Sequence, residues 1–211
     1  MPSRGNAARA QRVRRSREDA RAEIVEAAEA ALGSLDFAAL TVDEVMSRTG
    51  MTRSAFYHYF TGLDELVVGL LERFEHDVRD SVDPWLKGEL EGEDPITATT
   101  THLTAMFEVL TTHRASFSAV VQASGGHPRV YEQWQQRVLG YFVDLTERFI
   151  RREVARGRSH AEDPRGLARA LILMNNAVLN DGLLQATPPD PGSEARVVAR
   201  IWNAAIYGRE R

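Results

Sequence analysis

Hydrogen-bonding side chains are concentrated in one short stretch, residues 52–59, which reads TRSAFYHY. If this stretch is helical, Ala55 and Phe56 form its inner side. The outer side then carries Thr52, Arg53, Ser54, Tyr57 and His58. An arginine can donate two hydrogen bonds to a guanine edge, and hydroxyl groups can bind phosphate oxygens. The outer side therefore has the chemistry needed to contact nucleic acid.

A second short helix is predicted just before this stretch. Residues 41–44, TVDE, have the capping-box pattern, and apolar residues at positions 42, 45 and 46 share one side of the helix. The turn that follows contains Gly50, for which we expect a backbone shape that favours glycine, and Met51, which we expect to pack beneath the turn. A helix capped by Thr52 is predicted to follow. Helix, turn and helix in this order predict a helix-turn-helix, although an ordinary helical hairpin fits the same pattern.

The chain as a whole is predicted to be all-α. Apolar residues recur at three- and four-residue spacing, and strand signals are nearly absent. Asp94-Pro95, Asp163-Pro164 and Asp190-Pro191 each predict an N-cap followed by a proline in the first turn, and SRED at 16–19 and TGLD at 61–64 predict capping boxes. These signals predict nine helices, at residues 17–34, 41–48, 52–58, 63–81, 95–111, 114–122, 128–156, 164–182 and 191–207.

Short helices come first and long ones follow, which predicts a small N-terminal module, residues 16–62, joined to a larger bundle, residues 63–211. Residues 1–15 carry five arginines, at positions 4, 9, 12, 14 and 15, before the first acidic residue of a chain whose net charge is −4. Because this segment is too poor in apolar groups to fold alone, we expect a flexible arginine-rich arm. A solubilising tail would have the same composition.

Composition argues against several functional classes. The chain has no cysteine, so it has no disulfides, no thiolate zinc site and no cysteine nucleophile. No apolar run reaches the roughly 18 residues that span a membrane, and we expect a cytoplasmic protein without a membrane partner. Its six histidines are scattered, and neither a phosphate-binding glycine loop nor a nucleophile elbow is present. We therefore expect no enzyme activity, no metal and no cofactor.

Residues 20–66 include ARAEIVEAAEAAL and FAALTVDEVMSRTGMTRSAFYHYFTGLDEL. They closely resemble the N-terminal DNA-binding domain of the TetR family of transcriptional repressors. The resemblance implies a nine-helix TetR-like fold and a homodimer that reads a palindromic operator in double-stranded DNA, with two recognition helices about one DNA turn apart. The matching positions assign DNA contacts to Thr41, Thr52, Arg53, Ser54, Tyr57, His58, Tyr59 and Gly62.

Leu63 departs from the family pattern. Family members usually have a phosphate-binding lysine at this position. Its replacement by leucine predicts a weaker and less salt-dependent interaction with DNA, for which the arginine arm could compensate.

The C-terminal segments ALILMNNAVLNDGLLQ and EARVVARIWNAAIYGRER resemble the last two helices of a mycobacterial subfamily, the ethionamide-resistance repressors. This resemblance implies a ligand-binding and dimerisation domain with a long apolar tunnel in each subunit, and a dimer interface on the last two helices. The candidate ligand-binding residues are Met106, Phe107, Leu110, Trp134, Val138, Tyr141, Asn175 and Trp202. The candidate interface residues are Leu173, Asn176, Asn180, Val198 and Ala205.

Asn175 lies on a predicted apolar stripe that includes Leu167, Leu171, Met174 and Val178. An amide on such a face needs a hydrogen-bond partner. It could orient a ligand carbonyl or bind a facing backbone group, and the sequence leaves both interpretations open.

The expected function is therefore a repressor that an apolar small molecule releases from its operator. Two alternatives remain at this stage: a TetR-fold DNA-binding protein that senses no ligand and acts through protein partners or DNA architecture, and a helical interaction module that does not bind DNA.

Overall fold

The computed structural model describes residues 17–90 and 92–208, which are helical with no strand. Nine helices confirm the predicted all-α fold. They are α1 (Arg17–Leu32), α2 (Val42–Met46), α3 (Arg53–Tyr59), α4 (Leu63–Lys87), α5 (Pro95–Thr112), α6 (Arg114–Ser124), α7 (Pro128–Gln133, Trp134–Gly140 and Tyr141–Ala155 in continuity), α8 (Pro164–Leu183) and α9 (Pro191–Tyr207). The predicted arm, residues 1–15, and the predicted cap at Ser16 lie outside the described residues.

Three helix starts follow the predicted acid–proline signal. The carboxylate of Asp94 accepts the backbone N–H of Thr97 at 2.9 Å, and that of Asp163 accepts Gly166 N–H at 2.9 Å. Asp190 accepts from the third residue of α9 at 2.7 Å in the same way. Each proline follows its cap, where a missing N–H removes no helical hydrogen bond.

Helix α4 is longer than predicted. It continues through Pro84 to Lys87 instead of ending at residue 81. The helix ends at Gly88, whose φ of 75° lies in the left-handed region that favours glycine, and the N–H of Glu89 returns to the carbonyl of Pro84 at 2.9 Å. The proline is therefore accommodated within the last turn of α4.

Three local predictions around the helix-turn-helix were wrong. Gly50 does not have a positive φ, and a Cβ there would meet nothing within 4 Å, so the turn does not require glycine. Thr52 occupies the N-cap position of α3, but its side chain makes no capping hydrogen bond. The cap of α4 is Gly62, and the carboxylate of Glu65, not Asp64, accepts the N–H and the hydroxyl of Thr61, both at 2.8 Å.

Two apolar cores meet along α4. The smaller core joins α1, α2 and α3 and includes Leu66 and Leu70 of α4; the larger core fills the bundle of the later helices and includes Val67 and Phe74. Helix α1 approaches α4 closely at Gly69, where a Cβ would lie 3.1 Å from the Val25 side chain. Because one continuous helix contributes to both cores, a change in the packing of the larger core can reach the smaller one.

Helix α7 contains a π-helical segment, Trp134–Gly140. Such segments place one more residue in each turn than an α-helix does, and they are frequent at functional sites. Trp134, Val138 and Leu139, all buried, lie in this segment. The irregularity therefore coincides with residues that line the interior of the bundle.

Candidate functional site

The outer side of α3 has the exposure that the sequence predicts. Thr52, Arg53, Ser54 and His58 are exposed, and Tyr57 is 52% exposed, whereas Phe56 is completely buried in the smaller core. The exposed side chains begin at the first turn of the helix, after the α2–α3 turn. The surface thus presents donors and acceptors on a short helix that a DNA major groove can admit.

Arg53 is held by neighbours in this structure. Its guanidinium pairs with the carboxylate of Asp43 on α2, and the pKa of Arg53 is raised because Tyr57 and then Asp43 stabilise its charged form. Thr41, also predicted to contact DNA, caps α2 by accepting the N–H of Glu44 at 3.1 Å. An acidic residue therefore competes with DNA for the most versatile donor on this surface.

The remaining predicted DNA contacts surround the start of α4. Tyr59 is partly buried against the smaller core, Phe60 is 1% exposed, and Gly62 caps α4 in an extended conformation. Leu63 also packs against the smaller core. This packing gives the leucine a structural role in the smaller core.

A central cavity lies inside the bundle of the later helices. Its volume is about 60 Å³. Its wall is almost entirely apolar and includes the predicted residues Met106, Leu110, Trp134, Val138, Asn175 and Trp202.

Two predicted ligand residues are not on this wall. Phe107 is buried on the other side of α5, where it lines a smaller space beside α8 and α9. The hydroxyl of Tyr141 donates to Asp83 at 2.5 Å, and Arg79 lies over its ring at 3.7 Å. Helix α4 supplies six wall residues that were not predicted: Phe74, Glu75, Val78, Val82, Trp85 and Leu86. The three- and four-residue spacing of its apolar members was the available sequence signal.

Asn175 finds its partner in another predicted ligand residue. Its Oδ1 accepts the indole N–H of Trp202 at 2.9 Å, and both residues line the cavity. The sequence left two partners open for Asn175, a ligand carbonyl and a facing backbone group. The observed partner is a third kind of group, a side chain of α9. On α8, Leu171 is the fully buried member of the predicted stripe; Leu167, Met174 and Val178 are partly buried, and Ile172 and Leu179 complete the inner face.

An ionic network runs from the cavity wall to α1. The carboxylate of Glu72 binds Arg21 of α1 at 3.0 Å and Arg137 of the π-helical segment at 2.8 Å. Arg137 also approaches Glu75 at 3.4 Å, and Glu75, 3% exposed, pairs with Arg79 and lines the cavity. The pKa of Arg137 is raised because Glu72 accepts its hydrogen bond. The network therefore connects the π-helical segment, α4 and α1.

A second polar contact joins α1 to the later helices. The ring of His113, between α5 and α6, lies 2.8 Å from Glu29 of α1 through Nδ1 and 2.7 Å from Asp77 of α4 through Nε2. The hydroxyl of Ser116 also donates to Glu29, at 2.9 Å. Helix α1 is thus attached to the bundle at two separate places.

Large apolar side chains are exposed on α8 and α9 and at the residue after α8: Leu173 at 39%, Leu184 at 44%, Val197 at 59% and Ile201 at 45%. Ala205 is also exposed, and Oδ1 of Asn180 is shielded with no hydrogen-bond partner among the described residues. Two predicted interface residues lie elsewhere. Val198 is 1% exposed inside the larger core, and Asn176 lines the central cavity, because the two helices turn those positions inward. Val197 and Ile201, which were not among the predicted residues, are exposed on α9.

Over residues 17–90 and 92–208, no helix is long and apolar enough to cross a membrane. In the same part of the chain, no group of three or more His, Asp or Glu side chains is arranged to hold a metal ion.

Comparison with known proteins matches both halves of the chain. Residues 24–70 match the bacterial regulatory proteins of the tetR family, and residues 99–208 match the C-terminal domain of transcriptional regulator EthR. The HTH-type transcriptional regulator EthR of Mycobacterium tuberculosis (strain CDC 1551 / Oshkosh) is 28% identical over 202 residues, which cover 94% of this chain and 92% of that protein.

Solved structures share the fold. Salmonella enterica GusR superposes with a TM-score of 0.70 at 16% identity, covering 88% of this chain and 94% of its own. A complex of triclosan with SmeT, the repressor of a Stenotrophomonas maltophilia multidrug efflux pump, gives a TM-score of 0.67 at 22% identity, covering 87% and 90%. Taken with the helix-turn-helix and the match over residues 99–208, these findings show that the chain belongs to the TetR family of bacterial transcriptional regulators, with a C-terminal domain of the EthR type.

Proposed function

We propose that this transcriptional regulator is a ligand-responsive repressor. As a homodimer it binds a palindromic operator through α3 of each subunit, and an apolar small molecule in the central cavity releases it. The exposed donors of α3, above all Arg53 and Tyr57, read the DNA, and Thr41, Tyr59 and Gly62 lie at the edges of the contact.

One observation carries the proposal: α4 belongs both to the wall of the cavity and to the core that supports α3. Phe74, Val78 and Val82 line the cavity, whereas Leu66 and Leu70 pack against the helix-turn-helix. A ligand that binds more tightly to one position of α4 than to another shifts the position of the DNA-reading helix, by no more than that difference in affinity.

The ionic network connects the cavity to the smaller core by a second route, which ends at α1. A ligand that displaces the π-helical segment moves Arg137, and Glu72 passes the movement to Arg21. Because these side chains are only partly exposed, their hydrogen bonds are less weakened by solvent than those of a surface pair. The network is thus a suitable route for the signal.

The exposed apolar side chains of α8 and α9 favour the homodimer. Such surfaces on soluble proteins mark sites of association. Asn180 would there find the hydrogen-bond partner that its own subunit does not supply. Pairing of the two subunits along these helices would place two copies of α3 at a fixed separation, as a palindromic operator requires.

The first experiment isolates genomic fragments that bind the protein and measures affinity by fluorescence anisotropy, with and without 1-octanol as an uncharged apolar probe. We expect 1-octanol to weaken operator binding. The Met106→Trp variant, in which the larger side chain occupies the cavity, should bind the operator but lose the response to octanol. A repressor that senses no apolar ligand would bind the operator with the same affinity in the presence and absence of 1-octanol.

The second experiment tests the route. In Glu72→Gln, the neutral amide cannot hold both arginines, so we expect operator binding and octanol binding to persist while the octanol-induced loss of operator affinity becomes smaller. Asp80→Asn is the matched control, because Asp80 is on the same helix and its contact is with the exposed His76. An unchanged response in Glu72→Gln would show that the signal travels through helix packing alone.

A further inference from the structure

A second pocket lies at the C-terminal end of α4, the end away from α3. Its volume is about 50 Å³. Unlike the central cavity it is polar, and its ionisable side chains are Glu93, Arg152, Glu153, Arg156, Arg158 and Tyr207. Three guanidinium groups face two carboxylates, so the pocket carries an excess of one positive charge.

Glu153 already has its partners in this pocket. It is 2% exposed, and Arg158 donates to both of its oxygens at 2.6 Å. Burial raises the pKa of Glu153, but the hydrogen bonds from Arg158 and the charge of Arg156 more than offset this, so that the pKa lies below its ordinary value. In the described part of the chain Arg152 forms no ion pair of its own, and its Nη2 donates to the carbonyl of Leu86.

Two hydrogen-bond donors of the pocket have no acceptor. The Nε of Arg152 and the hydroxyl of Tyr207 are both shielded from solvent and without a partner in the part of the chain that the structure describes. Burial, followed by the charge of Arg156, lowers the pKa of Arg152, and burial, followed by Glu153, raises the pKa of Tyr207. A shielded donor without an acceptor is costly, and a ligand that brings acceptor oxygens relieves this cost.

Trp85 is the wall between the two spaces. It lines both of them. The centre of its ring lies 5.8 Å from the ring centre of Trp202 in the central cavity and 5.1 Å from that of Phe149 in the polar pocket. One side chain thus separates an apolar cavity from a pocket with an excess of positive charge. A molecule that suits both spaces has an apolar chain and an anionic head.

We propose that the cavity and the pocket form a single effector site for an alkyl carboxylate, whose chain fills the central cavity and whose carboxylate binds Arg152 and Tyr207 after Trp85 turns aside. The inference rests on the proposed function, because it assumes that the central cavity holds the effector. It adds the chemical class of that effector. A neutral alcohol of the same length brings a single uncharged acceptor oxygen, which binds the Arg152 guanidinium less strongly than a carboxylate does.

Binding of octanoate, 1-octanol and acetate, measured by isothermal titration calorimetry on the full chain, tests the proposal. We expect octanoate to bind at least about ten-fold more tightly than 1-octanol, since hydrogen bonds to a charged group are stronger than those to a neutral one. Acetate should bind far more weakly than octanoate, because it has no chain for the cavity.

Variants assign the head group. Tyr207→Phe removes a hydroxyl that lies near Glu153 but has no acceptor within hydrogen-bond distance among the described residues, so the fold should tolerate it. Arg152→Gln removes the charge. Each should lower octanoate affinity about ten-fold and leave 1-octanol affinity unchanged. Arg151→Gln is the matched control: Arg151 is the neighbouring residue, is 61% exposed and pairs with Glu147 outside the pocket. It should bind both probes as the wild type does.

The possible failures are distinguishable. Equal affinities for octanoate and 1-octanol would overturn the head-group assignment and leave the proposed function intact. The same conclusion would follow if neither Tyr207→Phe nor Arg152→Gln weakened octanoate binding. Acetate binding as tight as that of octanoate would show that the two spaces act separately. If neither octanoate nor 1-octanol binds, the effector role of the central cavity is itself wrong.

Discussion

The indole nitrogen of Trp202 lies 2.9 Å from Oδ1 of Asn175, so α9 is hydrogen-bonded to α8 within the wall of the central cavity. An indole N–H can only donate, which identifies the facing Asn175 atom as the oxygen. The amide nitrogen of Asn175 has no acceptor among the described residues. It is therefore available to a carbonyl or hydroxyl oxygen of a ligand.

This pair should be energetically coupled. Asn175→Leu leaves the Trp202 N–H buried without an acceptor, which should destabilise the fold by ~1–3 kcal/mol. Trp202→Phe leaves the Asn175 oxygen unsatisfied and also opens space in the core. In urea unfolding, the double variant should lose less free energy of unfolding than the sum of the single variants, by about 1 kcal/mol. Additive losses would show that the hydrogen bond contributes nothing.

Arg53 and Asp43 should affect DNA binding in opposite directions. Arg53→Gln removes a bidentate donor and should weaken operator binding by ~1–3 kcal/mol. Asp43→Asn removes the anion that holds Arg53 and repels phosphate, so it should strengthen binding. Fluorescence anisotropy with the isolated operator measures both, and Arg151→Gln controls for a general loss of positive charge. Weaker binding by Asp43→Asn would mean that the ion pair positions α3.

Leu63 offers a gain-of-contact test. Leu63→Lys would place a cation at the start of α4, with its aliphatic stem in the position of the leucine against the smaller core. We expect tighter operator binding and a plot of log affinity against log salt that is steeper by about 0.9. Leu63→Met, which keeps the packing without the charge, should leave the slope unchanged. An unchanged slope in Leu63→Lys would show that no phosphate is within its reach.

The apolar face of α8 and α9 should determine the oligomeric state. A carboxylate at Val197 or Ile201, which are 59% and 45% exposed in the single chain, would be buried without a partner in the dimer. Light scattering after size exclusion should therefore report a dimer for the wild type and a monomer for Val197→Asp and Ile201→Asp. Val154→Asp is the control, because Val154 is 38% exposed but lies on α7. A dimer in all four proteins would place the interface elsewhere.

Glu65 should contribute to the dependence of stability on pH. The backbone N–H of Thr61, and then its hydroxyl, lower the pKa of Glu65 below its ordinary value of 4.5. A lowered folded-state pKa stabilises the fold above the ordinary value, and this stabilisation is lost as pH falls through the folded-state value. When the pH is lowered from about 6 to about 3, the melting temperature of Glu65→Gln should therefore fall less than that of the wild type. An identical loss would mean that Glu65 keeps its ordinary pKa in the folded protein.

Local signals in the sequence predicted the helix starts well. Asp94, Asp163 and Asp190 cap their helices as expected, because a capping hydrogen bond spans three residues and depends little on the rest of the fold. Pro84 shows the limit of such signals. The missing N–H of Pro84 lies near the end of α4. The helix continues past it to Lys87, and Trp85 and Leu86 in this last turn pack in the larger core.

Long-range features could not be predicted in the same way. Helical spacing identifies an apolar side but not which neighbour covers it, and adjacent positions on α9 illustrate this: Val198 is buried in the core while Val197 is exposed. The partner of Asn175 is 27 residues away in sequence, and the burial of Glu75 depends on Arg137 from a distant helix. These contacts exist only after the helices have packed.

The length of α4 has a mechanical consequence. Its 25 residues rise by about 1.5 Å each, so the helix is about 37 Å long, and Pro84 does not interrupt it. A tilt of about 4° around Trp85 would displace Leu63, about 22 residues away, by about 2.3 Å. In a symmetric dimer the two displacements would add, which would change the spacing of the DNA-reading helices by about 5 Å against a helical turn of about 34 Å. A rearrangement of about 1 Å beside the cavity would thereby be amplified into a mismatch with the operator.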